Sequence, residues 1–337
     1  MIVNGGFQGQ LTCVVHRDRM ARSATARFRL LAERQPLAPE GSPVLRFMLI
    51  ADPQFGVYQA VGPHSENIRP ALERQGLRLP YFGRIEGFER ERELFAEAIA
   101  AANRIRPDFL VVCGDMVQKW DDAGQAASIR EVAQSASMPV YWVAGNHDVA
   151  EDAVTPTQEA LSTYRRTFGR DFYCFDLQKT RFIVLNSTVL LNPEALPVEF
   201  SANLAFLKDS LQSLTAAGCE RCIVFSHHPW FLETAAEHEE YPIPMALTPA
   251  VRHELLQLVD RQEVMAVFAG HTHRTQFGRH KQIEMVQTVA ASLPFSDEPA
   301  GYRVVDVYET GLEHFGVALT AGAAFAWESR RLESTVN

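Results

Sequence analysis

Five apolar runs in this chain each break into a short cluster drawn from Asp, Asn, Gln and His. Phe47-Met48-Leu49-Ile50-Ala51 ends at Asp52-Pro53-Gln54, and Phe109-Leu110-Val111-Val112-Cys113 ends at Gly114-Asp115. Val140-Tyr141-Trp142-Val143-Ala144 ends at Gly145-Asn146-His147-Asp148. Ile223-Val224-Phe225-Ser226 ends at His227-His228-Pro229, and the run from Val264 to Ala269 ends at Gly270-His271-Thr272-His273. Short apolar runs bounded by Gly or Pro read as buried strands. In open α/β sheets, ligands bind beyond the carboxyl ends of the strands. The chain must therefore adopt a fold that delivers carboxylates, amides and imidazoles from five strands to one rim.

That donor mixture contains no thiolate, so it suits Fe, Mn or Zn, metals at the border of hard and soft. Two ions ~3.5–4 Å apart need a ligand that reaches both, and a carboxylate does so. A lone His is more often a satisfied surface or core residue, so His16, His64, His238, His253, His280 and His314 are set aside. His227, His271 and His273 are retained because spacing and strand context agree.

Taken in order, the clusters resemble the calcineurin-like metallophosphoesterase superfamily. Its pattern is Asp-x-His, Gly-Asp, Gly-Asn-His-Asp/Glu, His and Gly-His-x-His, each after a strand. The resemblance spans about Leu45 to Leu319. Four of the five motifs match, and Gln54 stands where most members have His. Longer stretches are similar to one animal subfamily of calcineurin-like phosphoesterase domain-containing Ser/Thr phosphatases, which also carries the Gln. These are Ala51-Asp52-Pro53-Gln54-Phe55-Gly56, Val112-Cys113-Gly114-Asp115, Leu185-Asn186-Ser187 and Arg303-Val304-Val305.

The resemblance implies an α/β sandwich of two mixed sheets packed face to face and flanked by helices. It implies a catalytic domain at 44–320, with residues 1–43 an appended arm and 321–337 a tail. Two divalent or trivalent ions (Mn, Fe or Zn) are implied, with Asp115 as the bridge. One ion would take Asp52, Asp115 and His273 with Gln54 as a fourth ligand; the other would take Asp115, Asn146, His227 and His271. In-line attack on phosphorus by a metal-bridging hydroxide follows, because metal binding brings water toward a pKa of ~7. His147, directly after a ligand, is the candidate general acid, a role worth ~10²–10⁴-fold, with Asp148 beside it. Asn146, His147 and His228 are the candidate contacts to substrate, His228 either touching phosphate or supporting a ligand.

Position 118 separates relatives. Purple acid phosphatases place a metal-binding Tyr three residues after the Gly-Asp aspartate, and the large Ser/Thr phosphatase family places an Asp there; this chain has Gln118. The leading expectation is a phosphomonoesterase acting on a small molecule or a phosphoprotein. The alternatives are a phosphodiesterase of cyclic nucleotides or nucleotide-linked substrates, and a non-catalytic scaffold that keeps the fold. The intact ligands and His147 weigh against the scaffold.

A net charge of −9 offers no general basic surface for a nucleic-acid backbone. No run approaches the length of a membrane span, and the Arg-rich first 30 residues lack a continuous apolar segment, so no secretory leader is expected. Five cysteines without framework spacing favour a reducing compartment, so a cytoplasmic location is expected. Cys219-Glu220-Arg221-Cys222 reads as two ordinary, partly buried thiols, since no second pair completes a zinc site.

Periodicity predicts helices over 88–106, over 201–217 with Ser201 as cap and Gly218 as stop, and from Thr248-Pro249 to about Asp260. Three strands follow His273, at 283–290, 302–307 and 312–319; the resemblance implies that they close the second sheet. A loose alternation over 26–33 suggests an extra edge strand. No regular pattern emerges over 57–87, where Tyr81, Phe82 and Arg84 are candidates for a lid or substrate wall.

Overall fold

The inner strands of this chain are apolar on both faces because they are covered twice, by the other sheet and by helices. In β1 (Leu45–Ala51), Phe47, Leu49 and Ala51 point into the space between the sheets. Met48 and Ile50 point the other way, into a helix-covered core. That is the two-residue period of a strand with no wet side. The computed structural model of the chain describes residues 41–74, 76–237, 244–260 and 263–320. The expected strand at 26–33, the tail 321–337, most of the expected arm, His16 and His238 lie outside the described residues.

The first sheet adds β2 (Phe109–Cys113), β3 (Val140–Val143), β10 (Gly301–Val307) and β11 (Leu312–Ala318), in the order β11-β10-β1-β2-β3. β1, β2 and β3 are parallel, while β10 and β11 run antiparallel to their neighbours. The second sheet holds β4 (Tyr173–Leu177), β5 (Thr180–Leu185), β6 (Arg221–Ser226), β7 (Val264–Ala269), β8 (Gln276–His280) and β9 (Ile283–Gln287). Its order is β4-β5-β6-β7-β9-β8, with parallel β5, β6, β7 and β9 between two antiparallel edges. Both sheets are mixed, as expected. Phenylalanines join them: Phe47 stacks on Phe109 at 5.2 Å and meets Phe182, Phe225 and Phe268 edge-on at 5.9, 5.5 and 5.5 Å.

Helices cover the outer faces. On the first sheet these include α1 (Val57–Val61), α2 (Ser65–Arg74), α3 (Glu89–Ile105) and α4 (Ala123–Ala133), followed by the short α5 (Asn146–Val149) and by α6 (Gln158–Thr167). On the second they are α7 (Ser187–Leu191), α8 (Pro197–Gln212) and α9 (Pro249–Val259). α3 buries Leu94, Phe95, Ala98, Ile99 and Ala102 along the predicted stripe. α9 begins at the predicted cap, where the Thr248 side chain accepts from the Val251 amide.

Four sequence expectations need correction. Residues 57–87 are not unpatterned: α1 and α2 lie there. α1 is capped from afar, because Glu91 on α3 accepts the amides of Gly56 and Tyr58 at 3.0 and 3.1 Å. The Phe82 ring packs against Tyr58, and Arg69 covers the exposed Tyr81 ring at 3.8 Å. α8 starts at Pro197, not at Ser201, whose hydroxyl instead bonds back to the Pro197 carbonyl. Of the three strands expected after His273 only β9 joins the second sheet, whose edge is β8; the chain then crosses at Ala290, which bridges to Ala51, and β10 and β11 extend the first sheet. Cys219 and Cys222 are buried, not partly buried, and free, and burial raises both thiols.

Candidate metal centre

The five strand ends converge. Asp115, His227 and His271 bring one ligand atom each within 4.8 Å of one another, and so do Asp52, Asp115 and His273. Asp115 belongs to both groups, which is the arrangement two ions with a bridging carboxylate require. Asp52, Gln54, Asp115, Asn146, His227 and His273 are all buried, and His271 is half-buried.

Sharp turns at the strand ends achieve this. Asp52, Gln54, Asp115, His271 and His273 all adopt left-handed backbone angles, with φ of 49°, 31°, 50°, 69° and 53°. Such angles are uncommon outside glycine, and clusters of them accompany functional sites. The motif glycines are dictated by proximity. A Cβ on Gly114 would stand 2.0 Å from His227 Nδ1, and one on Gly145 would stand 2.2 Å from the Asp115 carboxylate.

Hydrogen bonds show how the ring nitrogens are disposed. His227 Nδ1 lies 3.0 Å from the Cys113 carbonyl, which can only accept, so Nδ1 carries the hydrogen. Nε2, which is bare in the neutral ring, faces Asn146 Oδ1 at 3.1 Å and Asp115 Oδ2 at 3.2 Å, both acceptors. His271 repeats this: Nε2 donates to the Pro244 carbonyl at 2.8 Å, and Nδ1 faces the same Asn146 oxygen at 3.1 Å. The Asn146 amide is oriented by its own nitrogen, which donates to the Ala153 carbonyl at 2.9 Å. His273 donates from Nδ1 to the Leu293 carbonyl at 2.6 Å and turns Nε2 toward Asp52 Oδ1, 3.4 Å away. Neutral rings would thus turn lone pairs toward lone pairs around Asp115 and Asp52, an arrangement that positive charge, from a metal ion or a ring proton, makes favourable. Backbone carbonyls on the far ring nitrogen are also how metal-binding histidines are oriented. Gln54 adds a further donor: its Oε1 is buried without a hydrogen-bond partner. The residues present fit two borderline metals.

The electrostatics agree. Burial opposes ionisation of Asp115, yet the positive fields of His227 and His147 hold its carboxyl below the usual range. Burial pushes His227 down, but Asp115 and Asp52 overcome this and raise it to about 10. Burial, then the neighbouring His227, lowers His271 to about 4. The pocket demands positive charge and has room for it on few protonated rings.

The remaining candidates divide. His147 lies at the edge of the centre, with its amide on Asp115 Oδ1 at 2.9 Å and its Nδ1 3.0 Å from the Gln118 carbonyl. Asp148 is buried among the ligand loops. Its carboxylate accepts the amides of Met116, Val117 and Gly145, tying the two ligand loops together. Burial and then the Asp115 charge raise its pKa well above the ordinary value. His228 is buried, its ring 4.2 Å from that of His271. It is held by Ser187, whose hydroxyl lies 2.9 Å from Nδ1 and accepts the His228 amide at 2.9 Å. Ser187 was legible only as part of Leu185-Asn186-Ser187, without a role. Ser292, which donates to the Asp52 carbonyl at 2.6 Å, carried no sequence signal. His253, His280 and His314 pair with Gln257, Asp260 and Glu284 outside the centre. Trp230 packs in the core behind the second sheet.

Comparison with known proteins agrees with this geometry. Residues 45–275 match the family described as calcineurin-like phosphoesterase. The chain is 30% identical over 277 residues to the human serine/threonine-protein phosphatase CPPED1, covering 80% of this chain and 82% of that protein. It is 23% identical over 231 residues to a probable cyclic nucleotide phosphodiesterase of Psychrobacter arcticus, covering 63% and 77%. In fold it is similar to a dimetal phosphatase from Danio rerio, with a TM-score of 0.52 at 15% identity, covering 82% of this chain and 99% of that one.

Proposed function

We propose, from the premise that this chain belongs to the calcineurin-like phosphoesterase family, that it is a two-metal phosphomonoesterase whose substrates include phosphoproteins. The observation that supports this is the shared Asp115, gathered with imidazole nitrogens and the Asn146 amide oxygen in two overlapping groups of ligand atoms. One ion would be held by Asp52, Asp115, His273 and Gln54, and the other by Asp115, Asn146, His227 and His271. When bound, such ions supply Lewis acidity toward the phosphoryl oxygens and a water-derived nucleophile at neutral pH.

The chain's own residues do the rest. Asn146 and His228 border the phosphoryl group. With Nδ1 committed to the Gln118 carbonyl, His147 exchanges its proton through Nε2. As the bond from phosphorus to the leaving oxygen breaks, that proton passes to the leaving oxygen. Asp148 keeps the loops bearing Asp115 and His147 in register. Residues 44–320 form the catalytic domain on this reading. Four free cysteines among the described residues fit a reducing, cytoplasmic setting.

The similarity to a serine/threonine phosphatase at 30% identity favours monoesters. The similarity at 23% to a probable cyclic nucleotide phosphodiesterase favours diesters as the second reading. Metal analysis, combined with a panel of p-nitrophenyl phosphate, phosphopeptides, bis-p-nitrophenyl phosphate and cyclic nucleotides, separates the two. Hydrolysis of monoesters at least tenfold faster than diesters is expected; the reverse order would move the assignment to phosphodiesterase.

A further inference from the structure

Gln118 reaches both halves of the catalytic apparatus. It sits on the loop after Asp115, and its side-chain Oε1 accepts a hydrogen from Gln54 Nε2 at 3.1 Å. Its backbone carbonyl lies 3.0 Å from His147 Nδ1, and its Nε2 lies 3.3 Å from the same nitrogen. We infer that Gln118 is a positioning residue that fixes Gln54 as a metal ligand and holds the ring of His147 in one orientation.

The Gln54 half follows from amide chemistry. An amide has one end that donates hydrogens and one that binds cations, and nothing in its shape tells the two ends apart. Gln54 Oε1 is buried with no hydrogen-bond partner. A buried acceptor without a partner is costly, and a cation at that oxygen would remove the cost. Gln118 Oε1 is the atom that selects it: by taking the Gln54 nitrogen, it leaves the oxygen as the free end. An imidazole at position 54 would present a ring nitrogen with no such ambiguity. A glutamine there needs a second residue to choose its face, and Gln118 is in place to do so.

The His147 half is geometric: the Gln118 carbonyl takes the Nδ1 hydrogen at 3.0 Å, which holds the ring in one orientation and leaves Nε2 as the nitrogen that exchanges a proton. Bracing of the loop does not account for the side chain, because the backbone already does that work. The Gln118 amide donates to the Phe55 carbonyl at 3.0 Å and to Gln125 Oε1 at 2.9 Å, bonds any residue would make.

This inference rests on the two-metal reading and predicts something more specific, so the test separates them. Mn²⁺ titration calorimetry on the full chain, metal-stripped, is compared for the native protein, Gln118→Leu, Gln118→Glu and Gln54→Leu. Partners of ligands change metal affinity by about 10- to 100-fold. Gln118→Leu should weaken one of two Mn²⁺ sites by at least tenfold and leave the other unchanged. Gln118→Glu, which keeps an acceptor for Gln54 Nε2, should bind at that site within about threefold of the native protein. Gln54→Leu should weaken the same site, and the double Leu variant should be no weaker than Gln54→Leu alone. Thermal melts of the stripped variants should match the native protein, and a Leu variant that melts early is replaced by Gln118→Met. If the native protein binds two ions and both Gln118→Leu and Gln118→Met bind them equally well, the role of Gln118 is refuted. If the native protein binds fewer than two, the metal-centre reading itself fails.

Discussion

A methyl group at position 145 would strike the shared ligand. Gly145 has φ −99° and ψ 174°, an extended conformation open to any residue, so Gly145→Ala carries no backbone penalty of its own. Its whole effect is steric. The new Cβ would lie 2.2 Å from both the amide nitrogen and Oδ1 of Asp115, where ordinary contact begins at 3.4 Å. Relief therefore needs roughly 1.2 Å of movement, derived from those two distances, and the carboxylate side of the clash belongs to the residue proposed to bridge the ions. Overpacking of a tight interior costs about 1–3 kcal/mol, so the fold should survive. A misplacement of about 1 Å at a reacting centre costs about 10²-fold in rate. Because Asp115 serves both groups, both Mn²⁺ affinities should fall together, and kcat/KM for a phosphate monoester should drop at least a hundredfold. Gly114→Ala is the contrast, since its Cβ meets His227 at 2.0 Å and His227 belongs to one group only. Calorimetry on both variants, with activity on the same preparations, reads this out. A folded Gly145→Ala protein that binds two ions with native affinity would refute the reasoning.

His147→Asn should slow turnover of poor leaving groups by about 10²-fold while metal content stays intact; loss of metal would make His147 a ligand. Gln54→His should tighten the site of Asp52 and His273 and reduce dependence on added Mn²⁺, since imidazole is a better donor than an amide oxygen to a borderline metal; equal affinities in both proteins would remove Gln54 from the ligand set. Burial raises the pKa of Glu91, only part of which is offset by the amides of Tyr58 and Gly56. The fold therefore prefers its neutral acid, and stability is fullest below the ordinary carboxylate value of ~4.3 and declines as pH rises through the raised one. Glu91→Gln removes that charge and keeps an acceptor for the two amides, so its melting temperature should exceed that of the native protein near neutral pH, with the gap closing in acid; a constant gap would contradict the assignment.

The candidate metal ligands were legible because each carries its chemistry in its own side chain and sits where an apolar run stops. Asp52, Asp115 and the histidines need no partner to be recognised. Gln118 and Ser187 do, because their meaning lies in what they touch, Gln54 and His147 in one case and His228 in the other. α1 and α2 escaped notice for a similar reason. α1 spans only five residues, too few to show a helical period, and its cap is Glu91 from a helix far along the chain. α2 carries Pro70 within it, which reads as a breaker. The placement of β10 and β11 could not be read locally either. Their apolar alternation says that they are strands, and only the register of β10 against β1 says which sheet they join.

The central claim is that Asp115 bridges two ions, with Asn146, His227 and His271 on one side and Asp52 and His273 on the other. Anomalous diffraction from crystals of the Mn²⁺-loaded protein tests it directly. Two peaks ~3.5–4 Å apart, one on each side of the Asp115 carboxylate, are the predicted result. A single peak, or two peaks that do not share Asp115, would contradict the claim.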